Sequence, residues 1–133
     1  MLAALLSIHP EYVERIKTGQ KRYEYRRIAF RRAVDRIIIY ATHPYSCIVG
    51  EAKVFCVLQD SKEKVWEKTH LYAGIKKEAY LNYFKGRETA FAYGITDFRI
   101  YPERKKLQDI GLSRAPQSFY YLKREQYERL TRN

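Results

Sequence analysis

Between Gly19 and Arg26 the chain reads Gly-Gln-Lys-Arg-Tyr-Glu-Tyr-Arg, and its charges fall in a pattern suited to holding a nucleotide. A lysine such as Lys21 places a compact point charge on a phosphate or carbonyl oxygen, whereas Arg22 and Arg26 each offer a planar fork of donors. Glu24 stands between those two arginines. That setting suits a carboxylate accepting from the amino group of a base better than an acid giving up a proton. The bland reading is a charge pair along one strand that only satisfies a surface. Arg27, Arg31 and Arg32 extend the basic run, and Tyr23, Tyr25 and Phe30 are interleaved with it, so cations that seek phosphate alternate with rings that can stack. Far along the chain, Gln117 and Ser118 could offer neutral donors to a base edge or phosphate, or merely form the turn begun by Pro116. Tyr40 or Tyr45 could flank a flipped base, while Tyr12, Tyr23, Tyr25 and Tyr80 sit on apolar stripes and read most simply as core.

The charge balance points the same way. Of 133 residues, 26 are Lys or Arg and 15 Asp or Glu, a formal net charge of +11. Residues 15–36 hold +7 of it and residues 99–133 another +5, so the excess is clustered in two blocks. The expected partner is a polyanion: RNA or a nucleotide, with DNA also possible. A solvated basic face is the alternative. No metal or other cofactor is expected, because His9, His43 and His70 share no ligand spacing with one another or with Cys47 and Cys56. His9, beside Pro10, reads as a helix-entry residue. The two cysteines lie in an apolar stretch and read as small, reduced, inert side chains. No string suggests a nucleophile elbow or phosphate loop. No apolar run approaches the ~20 residues of a membrane-spanning helix, so no membrane partner is expected and the default address is cytoplasmic.

These residues need a scaffold, and the hydrophobic pattern predicts one α+β domain over residues 1–133. A strand at Leu2–Ile8 precedes a short helix entered by Pro10 and closed by Gly19. Gln20–Arg27 alternates as a strand, with Tyr23 and Tyr25 on one face and Arg22, Glu24 and Arg26 on the other. Strict alternation sets Lys21 on the tyrosine face unless the strand begins after it. Arg36–Thr42 reads as a central strand and Ile48–Asp60 as a half-buried one, with Ala52, Val54, Cys56 and Leu58 inward and Glu51 and Lys53 outward. Ser61 can cap a helix running to Tyr72, and a second spans Lys76–Phe84. Glu88–Tyr101 is a strand whose phase slips near Thr96 and Asp97, which predicts a bulge. Phe119–Leu122 and Arg124–Leu130 close the chain as strand and helix. Irregular strands with few helices favour a small, partly closed β-barrel with flanking helices.

The segment Gly19–Arg26, preceded by Leu6-Ser7-Ile8-His9-Pro10-Glu11-Tyr12, resembles the G-x-K-x-x-E-x-R signature of the ASCH domain family, in the PUA-like group of small barrels. Tyr40-Ala41-Thr42, Ile48-Val49-Gly50-Glu51 and Ala115–Tyr121 extend the likeness, which covers about Leu2 to Leu122. The resemblance implies a PUA-like barrel whose cleft, lined by the signature strand, binds RNA or a modified nucleotide. It also raises the alternative of an enzyme. One branch of the family hydrolyses the acetyl amide of acetylcytidine with a Lys, a Thr and a Glu, and another is described as a ribonuclease. Lys21 matches that Lys, but Glu24 stands where the hydrolase has Thr, which favours binding without turnover. Lys21 and Glu24 would be catalytic only in the enzyme reading. A third class is a regulatory protein docking an acidic partner through the same basic blocks.

Overall fold

The computed structural model describes residues 1–132, and within them six strands form one curled sheet. Strand β1 (Ala3–Ile8) runs parallel to β3 (Arg36–Ala41), and both are buried nearly throughout because each carries apolar residues on both faces. Their inward row, Leu6, Ile37 and Ile39, fills the barrel with Val49 and Ile95. Their outward row, Leu5 and Ile38, packs with Ile48 beneath a 3-10 turn at Leu107–Ile110 and helix α4 (Arg124–Thr131).

Between β1 and β3 come α1 (Pro10–Thr18) and β2 (Tyr23–Arg26). Pro10 suits the helix start, where its missing N–H has no partner to lose, and Gly19 at φ +83° ends the helix by donating to the Ile16 carbonyl. Strands β4 (Cys47–Ser61) and β5 (Thr89–Lys105) are long and antiparallel. Their register shifts between Glu51 and Lys53, opposite Arg99 and Thr96, so the expected bulge lies at Asp97 and Phe98, with Asp97 in a left-handed conformation. A second shift, between Val54 and Cys56, corrects the reading of β4. Ala52 and Val54 face the barrel, but Leu58 packs outward on α2 (Lys62–Thr69) and α3 (Lys77–Tyr83). Glu51, expected on the solvent side, is 1% exposed. The helix predicted from Ser61 to Tyr72 divides into α2, capped by the Ser61 hydroxyl, and a 3-10 turn at His70–Tyr72. Trp66 of α2 packs on α3, its ring 4.7 Å from that of Tyr80.

Sheet order is β2-β5-β4-β3-β1-β6, with β6 at Phe119–Tyr121. The two edges, β2 and β6, face each other without pairing. Arg26 spans that seam, its guanidinium donating to the Ser118 carbonyl at 3.0 Å and hydroxyl at 2.9 Å. The fold is therefore an α+β, partly closed barrel with an open seam, and backbone groups along an open edge are free to meet a ligand. No helix among the described residues is long and apolar enough to cross a membrane.

Candidate functional site

A cleft of about 670 Å³ lies at the seam, lined by Ser7 and Ile8 of β1, Lys21, Glu24 to Arg26 of β2, and Gln117 and Ser118 before β6. Helix α3 forms the far wall with Ala79, Asn82 and Tyr83, followed by Arg87. The guanidinium of Arg27 sits over the Tyr83 ring, 4.9 Å from its centroid, so cation and aromatic ring form a fixed pair at the cleft's mouth.

Lys21 reaches the cleft because regular pairing begins only at Tyr23. Ahead of that point its backbone N–H donates to Arg15 and it forms an isolated bridge with Ala73, which frees its side chain from strand alternation. The ammonium is buried, donates to the Ala73 carbonyl at 2.9 Å, and lies 4.9 Å and 5.5 Å from the ring centres of Tyr25 and Tyr12. Gly74, at φ +66°, makes this possible, since a Cβ there would overlap the Lys21 side chain. Loss of hydration lowers the Lys21 pKa from 10.5 to about 8; Glu24 opposes the fall and Arg15 adds to it. Glu24 is buried beside it and pairs with Arg26 at 3.5 Å. One ammonium has three donors, and among the described residues the Ala73 carbonyl takes one, so Lys21 retains capacity for an anionic oxygen in the cleft.

Lys21, Glu24, Arg26, Arg27, Gln117 and Ser118 thus surround one space, and four other predicted residues lie elsewhere. Tyr40 is buried beneath the 3-10 turn and α4, because β3 is covered on both faces. Arg22 turns away from Glu24 and stacks over Tyr72 at 4.0 Å, its Nε bonded to the Gly19 carbonyl. Arg31 and Arg32 stand exposed on the loop after β2, their backbone N–H groups donating to the Tyr121 hydroxyl at 3.0 and 3.2 Å. Sequence reasoning missed Tyr12, Asn82, Tyr83 and Arg87. Arg87 was hidden because residues 37–98 are almost charge-neutral as a block, and Tyr83 because a lone ring near a helix end carries no periodic signal.

Chemically, the cleft offers fixed positive charge, a buried acceptor, a hydroxyl and accessible rings within one concavity, the mixture that binds a nucleotide by phosphate and base together. Residues 6–99 match the ASCH domain. A protein of Zymomonas mobilis named ASCH domain-containing ribonuclease is 31% identical over 131 residues, covering 96% of this chain and 88% of its own. The crystal structure of ASCH from Zymomonas mobilis superposes with a TM-score of 0.88 at 28% identity, over 96% of this chain and 92% of that one. The N-terminal domain of Staphylothermus marinus McrB shares the fold, with a TM-score of 0.63 at 17% identity over the same shares of the two chains. With the signature residues drawn together at the seam and this likeness spanning nearly the whole chain, the protein belongs to the ASCH domain family.

Proposed function

We propose that the protein binds single-stranded RNA and seats one nucleotide in the seam cleft. The observation that supports this best is the pair of buried, oppositely charged side chains, Lys21 and Glu24, opening onto a concavity rimmed by Arg27 and Arg87. Burying an ammonium and a carboxylate destabilises a small domain, and a salt-bridged surface would not need either of them inside. In this reading Lys21 meets a phosphate or carbonyl oxygen, Glu24 accepts from a base amino group, and the Arg27–Tyr83 pair meets the next phosphate or base. Glu24→Gln should weaken binding by about 1–3 kcal/mol and change base preference, as loss of one base contact does. Titrations of oligonucleotides of each base at several salt concentrations measure it. Binding that is independent of salt, or equal for the variant on all bases, would sink the reading.

A second reading, RNA cleavage, is favoured by the Zymomonas relative's name and by a lysine that exchanges its proton near neutral pH. Neutral Lys21 would take the proton of a ribose 2′-hydroxyl as that oxygen attacks the adjacent phosphorus. The bond from phosphorus to the 5′-oxygen breaks, a 2′,3′-cyclic phosphate forms, and the lysine's proton returns through water to the leaving 5′-oxygen. Lys21→Ala should then lower cleavage by about 100-fold or more, in keeping with loss of a general base, and RNA with a 2′-deoxyribose at the scissile position should stay intact. Cleavage that persists in Lys21→Ala would exclude this assignment.

A further inference from the structure

A second cavity, of about 480 Å³, lies beside the C-terminal end of α1, where Lys17 and Gly19 meet the bulges of β4 and β5. Lys21 borders both this cavity and the seam cleft, so the two are neighbours. Phe55 lines the second cavity and is 60% exposed, and Tyr72, stacked on the lining residue Arg22, is 43% exposed. Neither ring is loose. Phe55 lies against Gly94, where a Cβ would meet ring atoms at 2.7 and 2.9 Å, so the absence of a side chain there gives the ring its seat. Tyr72 is covered on one side by the Arg22 guanidinium, which the Gly19 carbonyl fixes from below at 3.1 Å.

We propose that Phe55, flanked by the Arg22–Tyr72 stack, is a second base-stacking site for single-stranded RNA outside the seam cleft. The inference rests on the RNA-binding reading above and extends the same strand to a second contact. Charge complementarity selects the occupant. Lys17 and Arg22 belong to the most basic segment of the chain, and the nearby carboxylate of Asp97 is paired with Lys53 at 3.7 Å, leaving the surface net positive. The same cations would draw an acidic protein, but a nucleotide matches both features at once, with a phosphate for the cations and a flat base to lay on the exposed ring. Arg22, absent from the seam cleft, acquires a role here: its planar cation is already aligned for a phosphate next to a stacked base.

The test compares fluorescein-labelled oligocytidylates of three and twelve nucleotides, whose bases carry the amino group that Glu24 accepts from, the short one followed by chemical-shift titration of the intact protein. Phe55→Ala should weaken the twelve-mer about five- to tenfold and leave the three-mer unchanged, matching the loss of one stacked base, and Phe55→Trp should restore it. Tyr72→Ala should act in the same direction. Lys21→Ala should weaken both oligonucleotides. If Phe55→Ala binds the twelve-mer as well as the unsubstituted protein does, this inference fails while the seam cleft stands. If Lys21→Ala leaves the three-mer unaffected, the cleft reading fails instead, and if neither oligonucleotide binds, both fall.

Discussion

Glu51→Ala should lower the stability of the fold by about 3–5 kcal/mol, the range seen when one partner of a buried ionic network is removed. The Glu51 carboxylate lies in β4 and accepts from Arg36 of β3 at 2.7 Å, from Arg99 and Tyr101 of β5 at 3.0 Å each, and from Tyr127 of α4 at 3.0 and 3.1 Å. One side chain therefore ties three adjacent strands to the terminal helix. Truncation leaves the buried Tyr101 hydroxyl without its acceptor, where it cannot reach water without disturbing the packing, and strips the half-buried Arg36 cation of its partner. Glu51→Gln keeps the shape and an acceptor, so it should lose less, and urea denaturation of both variants measures the difference. Burial alone would raise the Glu51 pKa, but hydrogen bonds from Tyr127, Tyr101 and Arg36, with the Arg99 charge, hold it below the ordinary carboxylate range. A carboxylate with a lower pKa in the folded chain contributes stability above the ordinary range and loses it as pH falls through the folded value. The acid limb of the stability curve should accordingly be shallower in Glu51→Gln. Glu51 is no part of the cleft lining, so RNA affinity at neutral pH should not change. A Glu51→Ala protein as stable as the unsubstituted chain would show that the four donors find other acceptors.

Glu51 also illustrates where sequence reading stops. Period-two alternation put it opposite Ala52 and so in solvent, and the alternation is real. What it omits is that β3 to β5 are covered on their outer face too, by α4 and the 3-10 turn, whose own sequence announces little. The same hidden layer buried Tyr40. Bulges were legible only where they broke a long apolar phase, at Asp97 and Phe98, and illegible between Val54 and Cys56, where an exposed Phe55 preserved the look of an apolar strand. The barrel elements themselves were legible because their caps are local: Pro10 and Gly19 around α1, Ser61 before α2. Of the cleft, the residues clustered in sequence were readable as a motif. Those supplied by α3 required knowing that this helix folds back across β2, a long-range fact that no local pattern encodes.

The seam accounts for why the motif sits where it does. A fully paired barrel satisfies its own edges, leaving only side chains at its mouths to meet a ligand. Here β2 ends after four residues, and the loop that follows is held by Phe30, whose N–H donates to the Tyr93 hydroxyl at 2.8 Å and whose ring packs on Phe119 at 4.9 Å. The loop fastens to β5 and β6 rather than zipping β2 to β6. Arg26 bridges the gap from β2 itself, so the strand that carries the signature keeps one edge turned toward the cleft.

Lys21→Met should raise stability at pH 7 by about 1–2 kcal/mol while removing most RNA affinity, a trade that only a functional charge explains. A fall in pKa from 10.5 to about 8 means that the charged form is disfavoured in the folded chain by roughly 3 kcal/mol, at about 1.4 kcal/mol for each pH unit. Methionine removes that penalty and keeps much of the apolar stem's packing. It forfeits the hydrogen bond to the Ala73 carbonyl, worth about 1 kcal/mol, and the attraction of the Tyr25 and Tyr12 rings, which is why the net gain is smaller. The sign of the pH dependence follows from the same shift. Between about pH 8 and pH 10 the unfolded chain holds more protons on this lysine than the folded one does, so stability should rise with pH in that window. Above it, Tyr25, pushed up to about 12 by burial, resists ionising only when folded, and stability should fall again. Lys21→Met should be flat where the unsubstituted protein rises. RNA that brings a phosphate to Lys21 must favour the charged form, so binding near pH 8 should take up a proton, measurable as a dependence of the binding heat on the buffer's ionisation enthalpy. A Lys21→Met protein that is less stable at pH 7 and still binds RNA would make the ammonium a structural tie to Ala73 and move the ligand's anchor to Arg27 and Arg87.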